Sequence, residues 1–138
     1  MADKVQFELV SPERLLVSEA VDMVVVPGSE GDFGVLPGHA PFISAVRPGV
    51  IEVYEGNTVT ERIFVAGGFA EVTPERCTVL ADEAMPFAEV TAEQLAERER
   101  AAERDLVDAA NDAEKAAAQK DLAVAKDLRR AQAYYASR

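Results

Sequence analysis

The sequence predicts an α+β chain in two parts, a β-sandwich or flattened barrel followed by an antiparallel two-helix hairpin. Three observations carry this. Up to about Ala84 the apolar residues fall in short runs, many with alternation, separated by Gly, Pro, Asn and Thr turn signals at roughly the 8–12 residue spacing of all-β folds. Residues 91–138 contain no Gly and no Pro but 15 alanines, alongside Glu, Lys, Arg and Gln, the strongest helix formers. The composition changes abruptly after Pro86, which places the boundary between a domain over residues 1–88 and another over residues 89–138.

In the first part, Val5, Phe7 and Leu9 alternate with Gln6, Glu8 and Val10, the two-residue period of a strand with one buried face. Leu15 to Val26 reads as one β-branched stretch ending at Pro27-Gly28. Val50 to Tyr54 and Val59 to Val65 flank Glu55-Gly56-Asn57-Thr58, a hairpin turn. Gly67-Gly68 punctuates the next pair, Phe69 to Val72 and Cys77 to Leu80, joined through Thr73-Pro74-Glu75-Arg76.

In the second part, Thr91 with Gln94 forms a capping box, and Asn111 or Asp112 near Glu114 offers another helix start. Helices over residues 91–110 and 113–136 follow, with a single uninterrupted helix as the alternative. Leu95, Ala102, Leu106 and Ala109 share one face of the first; Ala117, Val124, Leu128, Ala131 and Tyr135 share one face of the second. Large apolar side chains are few here, so this hairpin holds little stability against its ordering entropy and is suited to detaching and repacking.

The densest local pattern is Gly31 to Pro41, with three glycines, two prolines and a single charge in eleven residues. Glycine supplies positive φ and proline fixes φ while removing a donor, so this reads as a tightly shaped loop. Net charge is −10 over residues 1–89 and −1 over residues 90–138, which argues against nucleic acid and suits a basic partner surface. No apolar run approaches the roughly 18 residues of a membrane helix, the N-terminus lacks a signal-peptide layout, and the lone Cys77 fits a reducing compartment. No catalytic constellation or metal set is legible: His39 is the only histidine and reads as a turn residue. Glu97 and Arg100 read as an i,i+3 pair on a solvated face, with nucleotide binding as the rival.

The order Ser29-Glu30-Gly31-acid-x-Gly, then Pro37-Gly38-His39-Ala40-Pro41, with Pro48-Gly49 following, resembles the epsilon subunits of F-type ATP synthases, called delta in mitochondria. The resemblance extends through Phe64 to Val72 and Thr78 to Ala84. It implies a flattened sandwich of about ten strands and a two-helix hairpin, in a non-catalytic subunit of the central rotor stalk of a proton-translocating enzyme. The implied partners are the gamma subunit and the membrane c-ring, with alpha and beta subunits when the hairpin is extended. The implied place is the cytoplasmic face of a bacterial inner membrane.

Carried over by position, Ser29, Glu30, Gly31, Asp32 and Phe33 meet the ring, with Asp32 the first choice for contact. Gly34, Pro37, Gly38, His39 and Pro41 shape or support that loop. Lys126, Arg129 and Arg130 are the hairpin residues that would meet a catalytic subunit and block hydrolysis. Some members of the family bind ATP on the hairpin through an aliphatic-Asp-x-x-Arg-Ala motif. Here Ala96-Glu97-Arg98-Glu99-Arg100-Ala101 keeps Arg and Ala, loses the aliphatic and replaces Asp by Glu, and Tyr134 stands where a basic residue is expected. ATP is thus at most a regulatory ligand at Glu97 and Arg100, with no resident cofactor; a nucleotide-sensing module is the alternative function, and a stand-alone adaptor a third.

Overall fold

A computed structural model describes residues 3–137. The chain divides into two compact units between Phe87 and Ala88. The first holds ten strands: β1 (Val5–Val10), β2 (Leu15–Val21), β3 (Met23–Gly28), β4 (Gly31–Val35), β5 (Phe42–Val46), β6 (Gly49–Glu55), β7 (Thr58–Val65), β8 (Gly68–Val72), β9 (Arg76–Ala81) and β10 (Ala84–Pro86). They form one sheet in the order β10-β7-β6-β3-β5-β8-β9-β1-β2, with β4 paired to β3.

Neighbours are antiparallel except β1 and β9, which run parallel with Phe7 beside Cys77. Strands β1 to β9 all contribute to a single apolar cluster, so the sheet curls and closes its inner face on itself. Val5, Phe7 and Leu9 are fully buried while Gln6, Glu8 and Val10 are not, as the alternation requires. The Gly56-Asn57 turn joins Glu55 to its partner Thr58, with φ +62° at Gly56 alone, the pattern of a II′ rather than an I′ hairpin.

Three readings need correction. The stretch from Leu15 to Val26 is two strands, because Asp22 leaves the ladder: its carboxylate accepts from the Gly56 amide at 2.5 Å and pairs with Lys4 at 2.8 Å. Glu55 takes the other side of Lys4, and these two carboxylates raise the lysine's pKa. The predicted loop from Gly31 is strand as far as Val35, because Ser29-Glu30 alone makes the turn. In the second helix Ala117 is exposed and Ala118 is the buried residue, standing 100° round the helix.

The second unit is a helical hairpin, α1 (Ala92–Asp108) and α2 (Asp112–Ala136). Both ends of the Thr91–Gln94 capping box form: the Gln94 amide donates to Thr91 Oγ1 at 3.1 Å, and the Thr91 amide to Gln94 Oε1 at 2.8 Å. Asn111 caps α2, accepting from the Glu114 amide at 2.9 Å, and Ala109 leaves helical geometry at ψ 128°. One continuous helix is therefore excluded. Leu95 and Ala102 of α1 and Ala118, Val124, Ala125 and Leu128 of α2 are the buried positions; Leu106, Ala131 and Tyr135 are half-buried.

Candidate functional site

The tip of the β3–β4 hairpin ends in the pair Gly28–Gly31, closed by Ser29 and Glu30. Gly28 must be glycine for lack of room: a Cβ there would stand 2.7 Å from the Gly31 carbonyl oxygen and 2.9 Å from the Phe33 ring. Ser29 N donates to Ala45 O and Arg47 N to Pro27 O, both at 2.9 Å, which ties the tip to the end of β5. Above these backbone bonds the Arg47 guanidinium donates through Nη1 to Gly28 O at 2.6 Å and through Nη2 to Asp32 Oδ1 at 2.5 Å. Of the five expected ring-contact residues, then, Ser29 and Glu30 form the turn, while Gly31, Asp32 and Phe33 lie in a strand. Asp32 already has a cation. Among the described residues the Glu30 side chain has no hydrogen-bond or ion-pair partner.

The expected loop-shaping residues separate. Gly34 belongs to β4 opposite Val25, and a Cβ there would meet only Met23 Sδ at an ordinary 3.5 Å, so it is a strand residue rather than a loop former. Pro37, Gly38 and His39 do turn the chain: the Gly38 amide donates to Pro74 O at 2.7 Å and the His39 amide to Leu36 O at 3.2 Å. His39 Nδ1 donates to Ala40 O at 2.7 Å. Its ring centroid lies 6.3 Å from Phe42, whose ring meets Phe33 edge-on at 5.2 Å. Pro41 immediately precedes β5. An aromatic brace thus runs from the His39 turn to the tip.

In the helical unit, Glu97 accepts from Arg100 Nη2 at 2.9 Å and from Arg104 Nη2 at 3.1 Å, and these two guanidiniums lower its pKa, Arg104 foremost. Glu97 and Arg100 are brought together, but each occupies the other. Lys126, Arg129 and Arg130 line one surface depression on α2 together with Glu99 of α1. Arg129 pairs with Glu99, Arg130 with Asp127 at 2.8 Å, and Lys126 has no such partner among the described residues.

Sequence reasoning passed over two features. Arg47 is the sole lysine or arginine between Arg14 and Arg62, which is the signal that could have marked it. On the outer face of the sheet, Ala45 pairs with Phe69, Phe69 with Leu80, Leu80 with Val10 and Val10 with Leu15. That apolar row crosses five strands, with Phe69 60%, Leu80 55% and Leu15 56% exposed, and Ile43 at 70% beside it. Strand parity was the available signal, since Ala70 and Val72 point inward and Phe69 therefore outward.

Among the described residues no three or more His, Cys, Asp and Glu side chains gather as a metal site requires, and no helix is long and apolar enough to cross a membrane. The Cys77 thiol is buried in β9, which pushes its pKa up to about 12, the reverse of a nucleophile. The family model described as "ATP synthase, Delta/Epsilon chain, beta-sandwich domain" matches residues 4–87. The chain belongs to the ATP synthase delta/epsilon family. An ATP synthase epsilon chain of Rhodospirillum rubrum is 59% identical over 128 residues, covering 93% of this chain and 96% of its own length. This family alignment is longer than the β unit and so takes in helical residues as well. In fold, the chain is similar to one in the cryo-EM structure of Euglena gracilis mitochondrial ATP synthase (OSCP/F1/c-ring), with TM-score 0.74 at 22% identity, covering 96% of this chain and 81% of that one. A chain in the Tetrahymena thermophila mitochondrial ATP synthase central stalk/c-ring structure gives TM-score 0.68 at 17% identity, covering 94% and 97%.

Proposed function

We propose that this chain is a non-catalytic central-stalk subunit of a proton-translocating F-type ATP synthase, coupling gamma to the membrane c-ring. It would act peripherally at the cytoplasmic face of a bacterial inner membrane. The observation that carries the reading is the apolar row through Phe69, Leu80, Val10 and Leu15. A row crossing five strands on a chain of net charge −11 is a docking face rather than scattered surface hydrophobicity. Gamma is the partner assigned to it, and the braced, acidic β3–β4 tip is assigned to the polar loops of the ring. Phe69→Glu, which leaves the inner core untouched, is expected to abolish co-purification of gamma. Retained gamma at wild-type stoichiometry refutes the assignment.

The helical hairpin is assigned the regulatory role, extending toward alpha and beta subunits to hinder ATP hydrolysis. Lys126 is the cation ready for such a contact, while Arg129 and Arg130 must exchange Glu99 and Asp127 for new carboxylates. The Arg130–Asp127 pair is exposed and worth only about 0.2–1 kcal/mol, so its exchange costs little, whereas Glu99 is largely covered and its release from Arg129 is the costlier step. Reconstituting the catalytic head with the full chain or with residues 1–89 tests this. Faster hydrolysis without the hairpin supports an inhibitory switch; equal rates leave coupling as the sole role. Nucleotide sensing is the lesser reading, because Glu97, Arg100 and Arg104 already satisfy one another. Binding of ATP to the isolated chain at millimolar concentration would revive it.

A further inference from the structure

Asp32 was the first choice for an outward contact, yet its charge is committed. A single side chain, Arg47, bonds one member of each of the last two pairs of the tip hairpin, reaching Gly28 O on β3 at 2.6 Å and Asp32 on β4 at 2.5 Å. Its own amide adds a bond to Pro27 O, and Pro27 is the register partner of Asp32. The planar two-pronged guanidinium suits this geometry; a lysine ammonium would supply a point charge without the fixed fork. Midway between the two clamped residues, Glu30 is exposed in the turn with no partner among the described residues.

From this geometry we infer that Arg47 is the positioning residue of the tip, locking Asp32 as an internal strut, and that Glu30 carries the outward electrostatic contact. The inference rests on the proposed reading of the tip as the ring-facing element. For Asp32 to reach a basic group elsewhere, Arg47 must first let go, and the tip then loses the guanidinium tie that spans β3 and β4. Glu30 needs no such exchange. A basic or amide group on the ring is the chemistry that fits it.

The test uses the full chain bound to gamma, titrated with detergent-solubilised c-ring over a range of NaCl. Glu30→Gln is expected to weaken binding about two- to five-fold at low salt, the range of one exposed ion pair. The difference from wild type should vanish toward about 1 M NaCl, where the Debye length falls to about 3 Å. Asp32→Asn and Arg47→Gln should each weaken binding, the double variant no more than Arg47→Gln alone, and the Asp32→Arg/Arg47→Asp swap should recover part of the loss. Arg47→Lys should lie between Arg47→Gln and wild type. Additive effects of Asp32→Asn and Arg47→Gln, or a salt-dependent loss at Asp32 with none at Glu30, would overturn the inference. The clamp is read separately by backbone amide NMR of the full chain. Arg47→Gln and Asp32→Asn should shift the Gly28 to Asp32 resonances alike, and Glu30→Gln should not. If that signature holds while no variant alters ring binding, the ring-facing reading has failed and the role given to Glu30 falls with it. If the signature is absent, the clamp itself is refuted.

Discussion

Gly68→Ala is the substitution whose consequence can be worked furthest from the structure. Gly68 pairs with Val46 on one side and Ala81 on the other, at the point where β5, β8 and β9 meet. Its φ is +140°, and a Cβ would lie 2.0 Å from Leu80 O and 3.0 Å from the Ala81 Cα. Those are backbone atoms in a strand, which cannot swing aside as a side-chain end would. Backbone strain of about 1–3 kcal/mol adds to a packing penalty of about 1–3 kcal/mol, a loss of about 4 kcal/mol from a typical stability of 5–15 kcal/mol. At a urea slope of about 1.5 kcal/mol/M the midpoint falls by more than about 2 M. Gly56→Ala is the control, because its φ of +62° carries strain but nothing lies within 4 Å of the added methyl. About 1–2 kcal/mol is expected there. The assay is alkylation of Cys77, buried in β9, as a function of urea, so that unfolding of the sheet is read apart from the helices. Equal midpoints for the two variants would refute the reasoning.

Three further outcomes follow from the same contacts. Thr91→Ala and Asn111→Ala each remove a side-chain acceptor at a helix start and should cost about 1 kcal/mol of hairpin stability, measured by circular dichroism melting of the full chain. Glu61 has its pKa raised by partial burial and then by Glu19, so its contribution is complete below the ordinary carboxylate range and is lost as pH rises through the raised value. Glu61→Gln should therefore flatten the stability profile above about pH 4 and be at least as stable as wild type at pH 7; a lower melting temperature at pH 7 contradicts this. With its thiol pushed up to about 12, Cys77 should resist iodoacetamide at pH 8 in the folded chain, and rapid labelling without denaturant would show the core to be open.

What could be read from the sequence was whatever is decided within a few residues. The two caps, the Gly56-Asn57 hairpin and the inward alternation of Val5, Phe7 and Leu9 depend on neighbours in the chain, and all appear as their patterns indicate. The readings that changed depend on distant partners. Asp22 breaks a β-branched run because its carboxylate accepts from the Gly56 amide, which no local window contains. The chemistry of the tip changed likewise: Asp32 looks like a free carboxylate until Arg47 arrives from the end of another strand. The outer apolar row was the exception, for it follows from strand parity at Phe69 and Leu80 once β8 and β9 are taken as neighbours.

The parallel seating of β1 has a consequence for how the chain is made. Gln6 and Val10 sit beside Arg76 and Leu80, so β1 gains its β9 partner only after the strands between them have been synthesised. Until then Val5, Phe7 and Leu9 are held by β2 alone, a two-stranded ribbon that is marginal in water. Contacts of such long sequence separation close slowly, whereas a helical hairpin built from adjacent residues forms in microseconds. The helical hairpin is therefore able to assume its structure from neighbouring residues alone, whereas the β unit closes only when strands far apart in the chain have met.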